Sequence, residues 1–297
     1  MDNEKLVGTG SDARIAVIPQ ARRDFHAALL QSLLQTDAEG VPSNADKHST
    51  QSVKLSTGII ERLGVQRLGQ RLSGQQAGSK FEELCKDYLE AVFPRLSHLR
   101  PGQWEISKGV GGRTAISQYD QYEHLAALDA ASKENRHLAA ALGTDYLIKP
   151  DIVILRTPET DGTINAEGAL VDNEQAVHTS LRNFNSPLPI LHASVSCKWT
   201  LRSDRAQNAR SEALNLVRNR KGRLPHIVVV TGEPTPNRIA SIALGTGDID
   251  CVYHFALPEL VDTAESLDFS DASDMLQTMI EGKRLRDISD LPLDLVI

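Results

Sequence analysis

Phe81, Leu84, Cys85, Tyr88, Leu89 and Val92 recur at the spacing of one helix face, which predicts a helix over 81–93 halted near Pro94. RRDFHAALLQSLLQ (22–35) shows the same amphipathic pattern, and VKLSTGIIERLG (53–64) predicts a second, shorter helix beyond a polar loop. Residues 66–80 are rich in Gly, Gln and Arg, lack apolar periodicity and read as a loop. A long helical segment is expected at about 115–142, with Gly143 as its C-cap. DIVIL (151–155) is a β-branched strand after Pro150, and the polar stretch 156–190 reads as a long excursion. LHASVSCK (191–198) alternates: Leu191, Ala193, Val195 and Cys197 face one way, and His192, Ser194, Ser196 and Lys198 the other. HIVVVTG (226–232) is almost wholly apolar, as a buried central strand should be. A helix at 204–220 joins these two strands, so the region predicts a βαβ unit with a parallel sheet. Shorter helices at 235–243 and 257–282 flank a further strand in DCVYHFAL.

Composition adds little to this α/β picture. The chain has 297 residues, 40% hydrophobic and 24% charged, as in a soluble globule. The length suits one elaborated domain over 1–297, with a core at about 78–260, or two closely joined units. No signal-peptide pattern and no apolar run long enough for a membrane span is present. Cys85, Cys197 and Cys251 are widely spaced, which suggests neither a disulfide framework nor a paired-cysteine metal site and makes a reducing, cytoplasmic setting the expectation.

Charge changes the picture more. The net charge of -7 argues against nonspecific coating of nucleic acid but permits a local basic cleft. Within 196–223, Lys198, Arg202, Arg205, Arg210, Arg218, Arg220, Lys221 and Arg223 meet only Asp204 and Glu212. Asp151 at a strand start, Lys198 at a strand end and Glu212 on the next helix can converge at one sheet edge, and Glu82 can add a further carboxylate. Hard Mg²⁺ prefers such oxygen donors, and a lysine beside them stabilises charge on a reacting phosphate. Taken singly, each residue has an ordinary reading: Asp151 as a turn residue, Lys198 as a solvated strand end, Glu212 as a surface acid paired with Arg210, and Glu82 as a first-turn acid favoured by the helix dipole. Cys197 faces the core, though its backbone carbonyl can still reach a metal.

RSDR (202–205) has two readings as well. Arginine pairs with guanine O6 and N7, and aspartate accepts from cytosine N4, so the motif can read adjacent G·C pairs. Alternatively Asp204 is an N-cap with Gln207 in a capping box, a role Ser203 can take over. Arg218, Arg220, Lys221 and Arg223 suit phosphates or solvent. GVGGRT and LGTGD lack the setting of a nucleotide loop, and the nine histidines show no paired-ligand spacing.

PD (150–151), SCK (196–198) and Glu212 resemble the PD-(D/E)xK nuclease core in the variant whose last acid has moved to the helix, with Ser196 standing where an acid is usual. That departure resembles the CCGG-recognising type II restriction endonucleases, and VPSNAD, GQQAGSKFE, the whole of 191–257 and GKRLRDISDLPLDL extend the likeness to the NgoMIV-like group. The resemblance implies a restriction-endonuclease-like α/β core, a mixed central sheet flanked by helices. It implies catalytic roles for Asp151, Lys198, Glu212, Glu82 and Ser196, and Mg²⁺ held by Asp151, Glu212 and the Cys197 carbonyl. Arg202, Asp204 and Arg205 then read the inner CCGG, Gln75 touches the minor groove at its centre, and Asp46 and Arg238 read the outer pair. It further implies double-stranded GCCGGC as substrate, cut after the first G to leave a four-base 5′ overhang, a homodimer assembling into a homotetramer on two sites, and a cognate methyltransferase in the host. A palindrome calls for a two-fold protein dimer; the 226–245 region and the 156–190 excursion are candidate interfaces. The alternatives are the same chemistry at another CCGG-containing site, or a non-cutting DNA-binding protein.

Overall fold

The computed structural model describes residues 16–64, 69, 72–109, 115–142, 148–245 and 247–297; Gly143 lies outside this set, as does the side chain of Ser203. The fold is built on a six-stranded sheet whose strands lie in chain order: β1 (Gln103–Lys108), β2 (Ile152–Thr157), β3 (Ile190–Lys198), β4 (His226–Thr231), β5 (Cys251–His254) and β6 (Leu285–Asp287). β1, β2 and β3 pair antiparallel, whereas β3 to β6 run parallel, so the sheet is mixed, as the resemblance implied. The βαβ unit is present: α7 (Ser203–Asn219) links β3 to its parallel neighbour β4.

Before the sheet come α1 (Val17–Ser32), α2 (Thr50–Leu63) and α3 (Gly74–Val92). α3 corrects the loop expected at 66–80. Ser73 Oγ accepts from the Gln76 backbone N–H at 3.4 Å, and Gln76 Oε1 accepts from the Ser73 N–H at 3.2 Å. This capping box starts the helix at Gly74, and its S-x-x-Q signature was present in the sequence beneath the Gly-rich composition. α3 packs α1 on one side and the sheet, at β1 and β3, on the other.

The long helix expected at 115–142 is broken. Two 3₁₀ turns (Ala115–Gln118, Asp120–Tyr122) precede α4 (His124–Glu134) and α5 (Arg136–Leu142). Asn135 makes the break: its Oδ1 accepts from the N–H groups of His137 and Leu138 at 3.0 and 3.1 Å, capping α5. The 158–189 excursion holds one helical turn, α6 (Asp161–Ile164), and is pinned by the buried Arg182, which forks onto Asp161 at 2.8 and 2.6 Å. After β4 come α8 (Pro236–Ala243), α9 (Leu257–Ser266), α10 (Ser270–Glu281) and α11 (Leu291–Asp294). The helical span at 257–282 divides into α9 and α10 where Asp268 sits in the left-handed region at φ 53°.

Both faces of β3 are covered. His192, Ser194 and Ser196, on its polar side, are buried along with the apolar side. His192 bonds the Leu295 carbonyl at 2.7 Å and packs against Trp104. β1 and β6 escaped the sequence pattern. β1 is a polar edge strand with one partner, and β6 is three residues long.

Candidate active site

Antiparallel pairing sets the site. Ile152 lies opposite Val195, so Asp151, one residue before β2, falls beside the last residues of β3. Asp151 Oδ2 accepts from the Cys197 backbone N–H at 2.7 Å, from Lys198 Nζ at 2.7 Å and from Ser196 Oγ at 3.3 Å. All three donors converge on Oδ2. Asp151 is therefore more than a turn residue, and Lys198 is not a solvated strand end. Burial by itself would lower the Lys198 ammonium, but the charge and hydrogen bond of Asp151, with Glu212 beyond, raise it above its ordinary value. The Lys198 backbone is fixed too, its carbonyl accepting from Thr231 Oγ1 at 2.8 Å and the Gly232 N–H at 3.1 Å.

Glu212 faces this pair from α7. Its Oε1 is sealed from solvent and has no hydrogen-bond partner among the described residues. Burial, then the Asp151 charge, push its carboxyl up to about 8, with Lys198 opposing. The alternative of a surface acid paired with Arg210 or a neighbour fails here, since Glu212 faces inward and Arg210 donates to the Ser241 carbonyl at 2.9 Å. Glu82 is also raised, first by burial and then by Asp151. Because α3 starts at Gly74, Glu82 stands in the third turn, and α3 carries no acid in its first turn. The helix-dipole reading of Glu82 therefore fails. The Cys197 thiol is buried, beside Cys85 of α3, and held well above its ordinary value by burial. Among the described residues, no three His, Cys, Asp or Glu side chains gather closely enough to hold a metal unaided. The oxygen donors facing one another are the carboxylates of Asp151 and Glu212, with backbone and solvent left to complete any shell.

The RSDR arm follows at once. Trp199 packs on Phe81 of α3 at 5.0 Å between ring centres. Gly232 lets β4 close on that indole, where an added Cβ would fall 2.4 Å from the ring. Arg202 occupies the N-cap position of α7, no side-chain cap forms among the described residues, and Asp204 is exposed in the first turn, so Asp204 is not the N-cap of a capping box with Gln207. Arg205 donates to Thr200 Oγ1 at 2.9 Å and lies against the first turn of α3, where a Cβ at Gly74 would sit 3.1 Å from its Nη2. Gln75 is the next residue, exposed on a helix and not on a loop. Asp46, Gly74, Thr200, Arg202 and Arg205 line one cleft. Asp46 is paired with Arg238 of α8 at 2.5 Å, which holds its carboxyl below the usual range.

One residue escaped the sequence reading. Glu233 is fully buried at the end of β4. Its Oε2 accepts from the Leu201 N–H at 2.8 Å and lies 3.8 Å from Arg238, and its Oε1 accepts from the Thr235 N–H at 3.1 Å. Next to it, the Gly232 carbonyl accepts from Asn44 Nδ2 at 2.7 Å. Glu233 thus joins the residue before Arg202 to the start of the helix that carries Arg238. The signal available was an acid directly after a buried strand, the same signal that marks the Lys198 end of β3.

A half-buried Asp–Lys pair at the strand ends of a mixed sheet, faced by a helix carboxylate, belongs to a type II restriction endonuclease built on the PD-(D/E)xK core. A family model described as NgoMIV restriction enzyme matches residues 25–297, and the chain belongs to that family. It is 55% identical over 280 residues to the type II restriction enzyme NgoMIV of Neisseria gonorrhoeae, covering 94% of this chain and 98% of the relative. Among solved structures, a PspGI restriction endonuclease bound to substrate DNA aligns over 94% of this chain and 90% of its own, at 16% identity and a TM-score of 0.29. Among the described residues, no helix is long and apolar enough to cross a membrane.

Proposed function

We propose that the chain is a Mg²⁺-dependent endonuclease that cuts both strands of GCCGGC after the first G. The observation that carries the metal reading is Glu212 Oε1, a buried carboxyl oxygen beside Asp151 without a partner among the described residues. Leaving such a group unpaired costs about 1–3 kcal/mol or more, and a hard cation answers it with the oxygen ligands it prefers. Asp151, Glu212 and the Cys197 carbonyl would hold Mg²⁺, which supplies Lewis-acid polarisation of the scissile phosphate and acidifies a water. Lys198, kept charged by Asp151, offers a fixed ammonium to the charge that develops on phosphorus. The Ser196 hydroxyl and the Cys197 N–H hold the Asp151 carboxylate in place, and Glu82 adds a carboxyl on the α3 side.

Recognition falls to the adjoining arm. Arg202, Asp204 and Arg205 suit the inner CCGG, Gln75 beside Arg205 suits its minor-groove centre, and the Asp46–Arg238 pair suits the outer base pair. The opening turn of α7, without a side-chain cap among the described residues, also attracts phosphate. The reading extends to a single domain, a homodimer on the palindrome assembled as a homotetramer, a cytoplasmic setting and a partner methyltransferase. Incubating the protein with plasmids that carry GCCGGC or another CCGG hexanucleotide, with and without Mg²⁺, tests it, and sequencing the ends locates the cut. Cleavage at unrelated sites, or binding to GCCGGC with no nick under Mg²⁺ or Mn²⁺, would sink the reading.

A further inference from the structure

The basic residues that close the 196–223 stretch stand at the far end of α7 from the reader arm. The 17 residues of that helix span about 25 Å at ~1.5 Å per residue. Lys221 and Arg223 instead meet Arg100 and Arg156 around a cavity of about 290 Å³ at the start of β3. The nine residues of β3 set it roughly 26 Å from the Lys198 end at ~3.3 Å per residue.

Arg100 and Arg156 stack over the Trp104 ring at 5.8 and 5.6 Å, but few acids answer the four cations. Among the described residues, Asp120 is the one acid lining the cavity, and it already accepts from Ser180 Oγ. Arg156 Nη2 reaches Glu159 at 3.5 Å and the Pro101 carbonyl at 3.4 Å, and Arg100 Nη1 donates to the main-chain oxygens of Val296 and Ile297. The Nε atoms of Arg100 and Arg156 are sealed from solvent with no partner among the described residues. Burial, and then the charges of Arg223 and Arg156, hold Arg100 below the usual guanidinium range. Like charges around a partly buried space repel, and an anion among them turns that repulsion into attraction. Guanidinium forks match a tetrahedral oxyanion, and the lysine adds a point charge.

We propose that the cavity among Arg100, Arg156, Lys221 and Arg223 binds a phosphate-class oxyanion, at a site separate from the candidate active site. It does not depend on the cleavage reading. The test is calorimetric titration of the full-length protein with inorganic phosphate, in EDTA and at low chloride. Saturable binding is expected. Arg223→Glu and Lys221→Glu, which alter exposed side chains, should each weaken it by about tenfold or more. Lys198→Ala and Arg205→Ala, which alter the other cationic sites, should keep it. No uptake by the wild type, or wild-type affinity in both charge reversals, overturns the proposal; so does loss confined to Lys198→Ala or Arg205→Ala. Binding to a duplex without CCGG identifies the source of the phosphate. A salt slope shallower by about one in Arg223→Glu marks a DNA phosphodiester, and an unchanged slope marks a free anion.

Discussion

Lys198 and Arg202 are four residues apart and live in opposite surroundings. Around Lys198, three donors crowd one oxygen of Asp151, and Glu212 keeps an oxygen sealed and unpaired among the described residues. Around Arg202, the helix begins without a side-chain cap among the described residues, Asp204 is exposed, and Arg205 rests on Thr200. A good cap there would add about 0.5–2 kcal/mol of stability. The strand-end cluster thus holds its geometry in advance, with a buried acid that disfavours the protein unless a cation arrives. Apart from the Arg205 bond to Thr200, the arm is open: Arg202 and Asp204 stand exposed, available to base edges and phosphates. One segment carries both because the first needs a rigid strand end and the second an exposed helix start.

The largest effect should come from the rigid half. Asp151→Ala removes the acceptor for three donors and one carboxylate of the proposed metal site. Cleavage of a GCCGGC plasmid should fall by on the order of 10³-fold or more, while specific binding in Ca²⁺ largely survives. Near-wild-type cutting by this variant would erase the distinction between the two halves.

Next comes Glu212, whose carboxyl rises from its ordinary 4.5 to about 8 in the metal-free protein. Between those values the folded state keeps a proton that the unfolded state has lost. Folding stability therefore falls as pH rises through the window and levels off above about 8. Glu212→Gln does not titrate. Its stability advantage over wild type in EDTA should grow from pH 5 to pH 8, by up to a few kcal/mol. Divalent cation should shrink that gap by stabilising only the wild type. Melting curves that stay parallel at every pH would remove Glu212 from the buried set.

How far the sequence disclosed this division depended on the kind of signal. The βαβ unit was legible because β3 and β4 are covered on both faces and read as apolar or alternating runs. Asp151, Lys198 and Glu212 were legible as an acid at a strand start, a lysine at a strand end and an acid on the next helix. Their contacts depend on the β2–β3 register, which one chain does not reveal. The start of α3 was misread because Gly and Gln composition outweighed a two-residue capping box, and Glu82 was displaced by two turns as a result. Asn135, a single polar residue, divided a helix that hydrophobic spacing joined. Glu233 stayed hidden because a buried acid held mainly by backbone N–H groups leaves no pattern in sequence.

In the open half, Arg205→Ala should weaken binding to GCCGGC by roughly 1–3 kcal/mol, the worth of one bidentate base contact. Binding to an unrelated duplex should change far less. The ratio of the two affinities, measured in Ca²⁺ at one salt concentration, is the readout. An unchanged ratio would make Arg205 a prop for Thr200 and Gly74 and take it out of the proposed reader.

The smallest expected effect lies where the halves are joined, at Glu233. Leu201 N–H and Arg238 both face Oε2, and Thr235 N–H faces Oε1. In Glu233→Gln, the amide oxygen should keep the Oε2 position, because an NH₂ there would oppose both a donor and a guanidinium. The NH₂ then meets the Thr235 N–H, and that bond is lost at a net cost of about 1 kcal/mol. Its loss loosens the start of α8, which carries Arg238, and leaves Leu201 and the RSDR arm in place. Discrimination at the outer base pair should therefore narrow by about fivefold, while discrimination within CCGG is kept. Cleavage rates on GCCGGC, on a hexanucleotide changed only at the outer pair, and on one changed only inside CCGG measure the two separately. Equal losses at both positions would mean that Glu233 supports the arm as a whole; no loss at either would mean that the buried carboxylate serves folding alone.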